Sequence, residues 1–370
     1  MSREEFKIET QLVQGSGEFT EGQPRVYPIY QTTTYDYNSP EVLAELFDLK
    51  RDGYMYSRIG NPTVTAFEEK IAQLEKGVGA LALSSGQAAN VTAILNICGC
   101  GDHIVSLATI YGGTANLFKS TLKKYGITAT FVSPEASEEE IKAAFQENTK
   151  VLFGETLGNP EMNVIDFEKL VRVGKEKGVP VIVDNTLASP YLCNPIEYGI
   201  NIVTHSATKY IDGQGAALGG VIVDGGNFNW DNGKFPDLVE PDSAYHNLSY
   251  WKDFGKAAYI TRARVTLLRD FGACLNPFNA FLFLRGLETL HLRMERHSEN
   301  ALKVAKFLEN HEKIEWVNYP KLESSYSYEN AKKYLPKGGS GVILLGVKGG
   351  REGAERFIKE LTWIRSVIHV

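Results

Sequence analysis

Short apolar runs recur at residues 103–106, 128–132, 151–155, 179–184, 200–205 and 221–223, and most are separated by helical or loop segments of crossover length. Two neighbouring parallel strands need a crossover of that kind, so the alternation predicts an α/β fold with a mainly parallel central sheet and helices on both faces. Further signals fit the same frame. Residues 63–76 carry apolar positions at helical spacing, residues 80–83 read as a short strand, and residues 88–97 read as a helix.

At 370 residues the chain exceeds what one compact core usually holds. Three stretches are expected. Residues 1–60, rich in Thr, Tyr, Gly and Pro, read as an arm lying on something else, with one helical segment at 41–49. Residues 61–275 read as the large domain. Residues 276–370 begin with a long helix over 277–311 and end in a smaller α/β domain with a strand near 341–346, a helix over 351–361 and a final strand over 363–370. The excursion at 224–256, polar and spotted with aromatics, reads as a surface loop over the mouth of a site.

Composition excludes several classes. The 45 acids and 39 bases leave a net charge of −6 with no long basic run, which disfavours nucleic acid. The N-terminus is charged where a signal peptide would be apolar, and no 18 apolar residues run together. A cytoplasmic protein without a membrane span is expected. Cys98, Cys100, Cys193 and Cys274 are too few for a disulfide framework, and the C-x-C pair lacks a second pair, so no metal site is expected. Gly77-Val-Gly79-Ala-Leu-Ala82 fits a dinucleotide fingerprint in letters only, because it follows a helix and opens a strand.

The chemistry concentrates in Asn201-Ile-Val-Thr-His-Ser-Ala-Thr-Lys209 and in Asp184, at the end of a buried apolar run. An aldehyde cofactor such as pyridoxal phosphate (PLP) needs a lysine for its covalent anchor, a carboxylate for its ring nitrogen, and hydroxyl and N–H groups for its phosphate. Ser206 and Thr208 would share one side of an extended segment and Lys209 the other. Ser84-Ser-Gly86-Gln87 is a strand-to-helix turn able to receive an anion, and Tyr111 follows another strand, where a ring can stack on a flat cofactor. Each piece alone has a plain reading: a turn, a surface lysine, a strand-end cap, a core tyrosine. His205 reads as structural.

Six motifs stand in order: Tyr54-Met-Tyr56-Ser57-Arg58-Ile-Gly-Asn61-Pro62-Thr63, Ser84-Ser-Gly86-Gln87, Tyr111-Gly-Gly113, Glu155-Thr-Leu-Gly-Asn159-Pro160, Val183-Asp184-Asn185-Thr186 and His205-Ser-Ala-Thr-Lys209-Tyr210. Over essentially its whole length the chain thereby resembles the Cys/Met-metabolism family of PLP-dependent enzymes, of fold type I. Within it, Gly219-Gly-Val-Ile-Val-Asp-Gly-Gly-Asn-Phe228 and Gly286-Leu-Glu-Thr-Leu-His-Leu-Arg-Met-Glu-Arg-His-Ser298 are most similar to the O-acetylhomoserine sulfhydrylases.

The resemblance implies roles. Lys209 would be the Schiff-base lysine and proton carrier, Asp184 the partner of the ring nitrogen, and Tyr111 the stacking ring that assists the leaving group. Asn159 would sit near the cofactor oxygen and the substrate carboxylate. Gly86, Gln87, Ser206 and Thr208 would hold the phosphate, and Tyr56 and Arg58 would reach the phosphate of a neighbouring subunit in a homotetramer of catalytic dimers. The implied reaction replaces the acetyl group of O-acetyl-L-homoserine with a sulfur nucleophile, giving homocysteine. A γ-lyase or cystathionine enzyme is the alternative on the same scaffold, although Gly113 leans against methionine γ-lyase. The family's carboxylate-gripping arginine is expected beyond Val370, so either the chain is a truncated form, with an incomplete smaller domain, or substrate binding is impaired. Arg365 does not take that role, and His369 falls near a position where relatives carry a small polar residue.

Overall fold

Seven strands form one sheet: β1 (Gly79–Leu83), β2 (His103–Leu107), β3 (Thr128–Val132), β4 (Thr149–Glu155), β5 (Val181–Asp184), β6 (Ile202–Ser206) and β7 (Gly220–Asp224). The computed structural model describes residues 6–14 and 21–367. The strand order is β1-β7-β6-β5-β4-β2-β3. Neighbours from β6 through β3 run parallel, whereas β7 runs antiparallel to both β6 and β1. The mainly parallel α/β sheet read from the alternation is what the chain adopts.

The pleat divides each strand's side chains between two cores. Leu152, Val181, Val183 and Val203 join one, while Val151, Phe153, Ile182 and Ile202 join the other. Sheets covered on both faces bury strands along their length, and every residue of β2, β5 and β7 is buried. Helix Pro62–Glu75 covers the first face through Phe67 and Ile71. Asn61 caps it by accepting from the Thr63 N–H at 3.0 Å, and Pro62 takes the first turn, where a missing N–H costs nothing. Helix Gly86–Leu95 covers the second face through Ala89, Ala93 and Ile94.

This division locates the chemistry. Asp184 shares the parity of Ile182, Glu155 that of Phe153, and Thr204 and Ser206 that of Ile202, so all four share the face of helix Gly86–Leu95. All lie toward the carboxyl ends of their strands, where open α/β sheets take ligands.

Four expectations change. Residues 224–256 are not a loop over the site mouth. Trp230, Phe235, Leu238, Tyr245 and Tyr250 are buried in the second core, with Trp230 stacked on Tyr259 at 5.2 Å. Asn232 donates to the Gly178 carbonyl and Lys234 to that of Lys177, just before β5 begins. The excursion therefore covers the end of the sheet opposite Asp184, and its aromatic side chains are what bury it.

The single helix expected over 277–311 is two, Pro277–Glu288 and Leu290–Glu309. The Gly286 carbonyl accepts from the Arg293 guanidinium at 2.8 Å and the Thr289 hydroxyl at 3.3 Å, competitors for the role of an i+4 backbone N–H.

In the smaller sheet β8 (Ile314–Asn318) pairs antiparallel with β9 (Leu344–Val347), followed by helix Gly350–Glu360. The final strand does not form over its described part, 363–367. No neighbouring strand pairs with it there among the described residues, and Trp363 is 96% exposed. His369 lies outside the described residues. In the arm, helix Pro40–Phe47 answers the segment expected there, and helix Ile8–Val13 is additional.

Candidate active site

Asp184 ends β5 almost wholly buried. Its Oδ1 accepts from the Thr186 N–H at 3.0 Å and from the Thr186 hydroxyl, and its Oδ2 accepts from the Asn90 amide at 3.2 Å. Three donors on one carboxylate fix its orientation. The Thr186 hydroxyl also accepts from the Ser206 N–H at 2.8 Å, tying the end of β5 to the end of β6.

Ser206 meets the N-terminus of helix Gly86–Leu95. A methyl group on Gly86 would stand 2.5 Å from the Ser206 Cβ and 2.7 Å from its Cα, so only glycine permits this approach. Ser85 caps the helix by accepting from the Ala88 N–H at 3.1 Å. The first N–H groups of a helix have no partner within it, and the helix dipole adds positive potential. Gly86, Gln87 and the Ser206 hydroxyl thus border one helix N-terminus, which can cradle an anion.

The extended segment expected beyond Ser206 gives way to a turn: β6 ends at Ser206, and the Lys209 N–H donates to the Ser206 carbonyl at 3.2 Å. Strand alternation therefore does not set the direction of Lys209. The Thr208 hydroxyl accepts from the Gly219 N–H at 3.1 Å and donates to the Gly219 carbonyl at 3.2 Å, which makes it a clamp on this turn. The turn is held again from outside, where Arg293 donates to the Tyr210 carbonyl at 2.8 Å. Burial lowers the pKa of the Lys209 amine from its ordinary value.

Tyr111, partly exposed, precedes helix Gly112–Asn116. Its N–H donates to Glu155 Oε1 at 2.7 Å. Burial first, and the neighbouring Asp184 charge second, push the Glu155 carboxyl well above the usual carboxylate range. Asn159 stands on the loop after β4, half-buried, and with Thr109 lines a cavity of about 460 Å³. Tyr56 and Arg58 lie apart from this cluster's hydrogen bonds. The guanidinium of Arg58 stacks on the Tyr56 ring at 5.3 Å and donates to the Arg269 carbonyl.

His205 is structural, as its sequence context suggested. It faces the opposite side of the sheet and pairs with buried Glu75 at 2.6 Å, which also accepts from Asn185 at 2.8 Å. Asn90, Thr186 and Glu155 went unread as site residues. Asn90 did carry a signal, since it lies one helical turn beyond Gly86 on the same face.

An amine on a turn, a multiply held carboxylate and a glycine-made anion cradle at the strand ends match what PLP needs, and among the described residues no His, Cys, Asp and Glu cluster suits a metal ion. Fold and donor set together define an α/β enzyme of the PLP-dependent class. The chain belongs to the Cys/Met metabolism PLP-dependent enzyme family, whose sequence model matches residues 9–368.

Its relatives narrow the class. It is 47% identical over 366 residues to an O-acetyl-L-homoserine sulfhydrylase of Leptospira meyeri, covering 96% of this chain and 83% of that one. It is 50% identical over 327 residues to a homocysteine/cysteine synthase of Saccharomyces cerevisiae, covering 88% and 73%. A crystal structure described as an O-acetylhomoserine (thiol)-lyase of Campylobacter jejuni, containing a pyridoxyl-lysine phosphate, superposes with a TM-score of 0.94 at 35% identity over 98% of this chain and 90% of that one.

Proposed function

We propose that this chain exchanges the acetyl group of O-acetyl-L-homoserine for a sulfur nucleophile, releasing acetate and forming L-homocysteine. The observation that carries the reading is the convergence of Asp184, Ser206 and Gly86 at the strand ends beside the Lys209 turn, in a chain whose relatives bear sulfhydrylase names.

PLP, when bound, draws electrons away from the substrate's α-carbon. Lys209 anchors it and then works as the base. Its amine, once free, would take the Cα proton and serve the proton transfers at Cβ that let acetate leave from Cγ. Partial desolvation favours the neutral amine that this work needs. Asp184 would hold the proton on the ring nitrogen, its carboxylate kept in place by Asn90 and Thr186. Gly86, Gln87, Ser206 and Thr208 would hold the phosphate, Thr208 by turning its hydroxyl from the Gly219 carbonyl toward it. Tyr111 would stack on the ring and assist the leaving group from a backbone anchored by Glu155. Asn159 would sit near the cofactor oxygen and the substrate carboxylate.

The arm of residues 1–60 belongs to the same proposal. Through Tyr56 and Arg58 it completes the phosphate site of a neighbouring copy in a homotetramer, while residues 61–275 carry the cofactor and 276–370 form the linking helix and small domain. Among the described residues no helix is long and apolar enough to cross a membrane, and the proposed setting is the cytoplasm.

Borohydride reduction of the PLP-loaded protein followed by peptide mass spectrometry is expected to place the phosphopyridoxyl mass on Lys209. Incubation with O-acetylhomoserine and sulfide is expected to yield homocysteine and acetate. A label on another lysine overturns the site, and oxobutyrate with ammonia, or no product, overturns the reaction.

A further inference from the structure

Asn90 is almost wholly buried on helix Gly86–Leu95, where an unpaired amide is costly. Its Oδ1 accepts from the Thr204 hydroxyl at 2.6 Å. Its amide nitrogen donates to Asp184 Oδ2 and to Thr114 Oγ1, both at 3.2 Å. Reversing the amide would turn an oxygen toward the Asp184 carboxylate and leave Thr114 without its donor, so one orientation is enforced. Thr204 is itself the β6 partner of Asp184 in register, which places the orienting hydroxyl beside the carboxylate that the amide serves.

The bonds continue beyond Asp184. The Thr114 hydroxyl donates to Gln87 Oε1 at 3.4 Å, and the Gln87 amide reaches the Gly113 carbonyl at 3.5 Å. One side chain thus joins the carboxylate ending β5, the helix that begins after Tyr111 and the start of the helix that caps the anion cradle. Among the described residues, Glu155 is a titratable group that feels the charge of this carboxylate.

We propose that Asn90 is a positioning residue which, oriented by Thr204, holds the Asp184 carboxylate in place and limits how strongly that carboxylate draws the proton from the ring nitrogen of PLP. The inference rests on the reading of Asp184 as the ring-nitrogen partner. A carboxylate that loses a donor becomes more basic. Without the Asn90 amide, the shared proton moves from the ring toward Asp184, and the ring becomes a poorer electron sink.

The test is ¹⁵N NMR of protein loaded with ring-¹⁵N PLP and no substrate, comparing wild type, Asn90→Leu and Thr204→Val. The ring resonance is expected to move toward the neutral-pyridine position in Asn90→Leu and, by less, in Thr204→Val. The kcat of Asn90→Leu should fall about ten- to a hundred-fold with KM within about three-fold. Thermal melting separates lost folding from lost positioning, and Thr204→Val carries the test if Asn90→Leu does not fold. A resonance at the wild-type position in a folded variant overturns the role of Asn90. Asp184→Asn is the control: if the ring resonance ignores that change too, the reading of Asp184 itself has failed.

Discussion

At Gly86 one hydrogen atom decides whether strand and helix can meet. The β carbon of an alanine there would overlap the Ser206 Cβ at 2.5 Å and its backbone Cα at 2.7 Å, neither of them the far end of a flexible side chain. Relief requires the helix N-terminus to withdraw from β6, at about 1–3 kcal/mol for forced overpacking. If the cradle holds the PLP phosphate, Gly86→Ala should weaken PLP binding roughly ten- to a hundred-fold, read by fluorescence titration, and an unchanged dissociation constant would place the phosphate elsewhere. The glycine, Asp184, Ser206 and Lys209 were legible in sequence because each brings its chemistry in a short motif. Asn90 and Thr186 were not, because their meaning is relational. An amide means little until Thr204, Thr114 and Asp184 arrive around it from other elements.

Elements were legible where periodicity is local and illegible where a distant group intervenes. The strands and helices of the sheet could be read from apolar spacing. The break at Thr289 could not, since it depends on Arg293 reaching back to the Gly286 carbonyl while also gripping the Tyr210 carbonyl. The 224–256 excursion reads as a loop because its polar composition hides aromatic residues that pack. Where it leaves β7, Asp224 is 2% exposed, with one oxygen accepting from the Gly226 N–H at 2.9 Å and the other unpartnered. Burial raises its pKa from 3.8 to about 7. Between those values the folded chain keeps a proton that the unfolded chain has released. The contribution to stability is present below the lower value and is lost as pH rises through the upper one. Asp224→Asn keeps the acceptor and removes the titration, so its melting temperature should gain on wild type between about pH 4 and about pH 8. A difference that stays constant with pH would show that Asp224 does not titrate in this window.

For the molecule as a whole, the arm poses the question of where its charge goes. Arg58 stacks on Tyr56 and donates to the Arg269 carbonyl, and neither residue shares in the hydrogen bonds that gather Asp184, Ser206 and Asn90. Side chains in the same arm, Val26, Tyr27, Ile29 and Tyr30, are exposed together, as expected of a segment that lies on a neighbouring copy. If Tyr56 and Arg58 complete the neighbour's phosphate site, each site of a dimer draws Lys209 from one copy and Arg58 from the other. Lys209→Ala and Arg58→Ala proteins should each be nearly inactive alone. Unfolded together and refolded as an equal mixture, half the dimers are mixed, and each mixed dimer has one site with both residues intact and one with neither. Activity should therefore return to about a quarter of the wild-type value, by the symmetry of a two-fold dimer. If both residues act within one chain, every site in the mixture lacks one of them. No activity would then return, and the arm would have to be assigned to its own subunit.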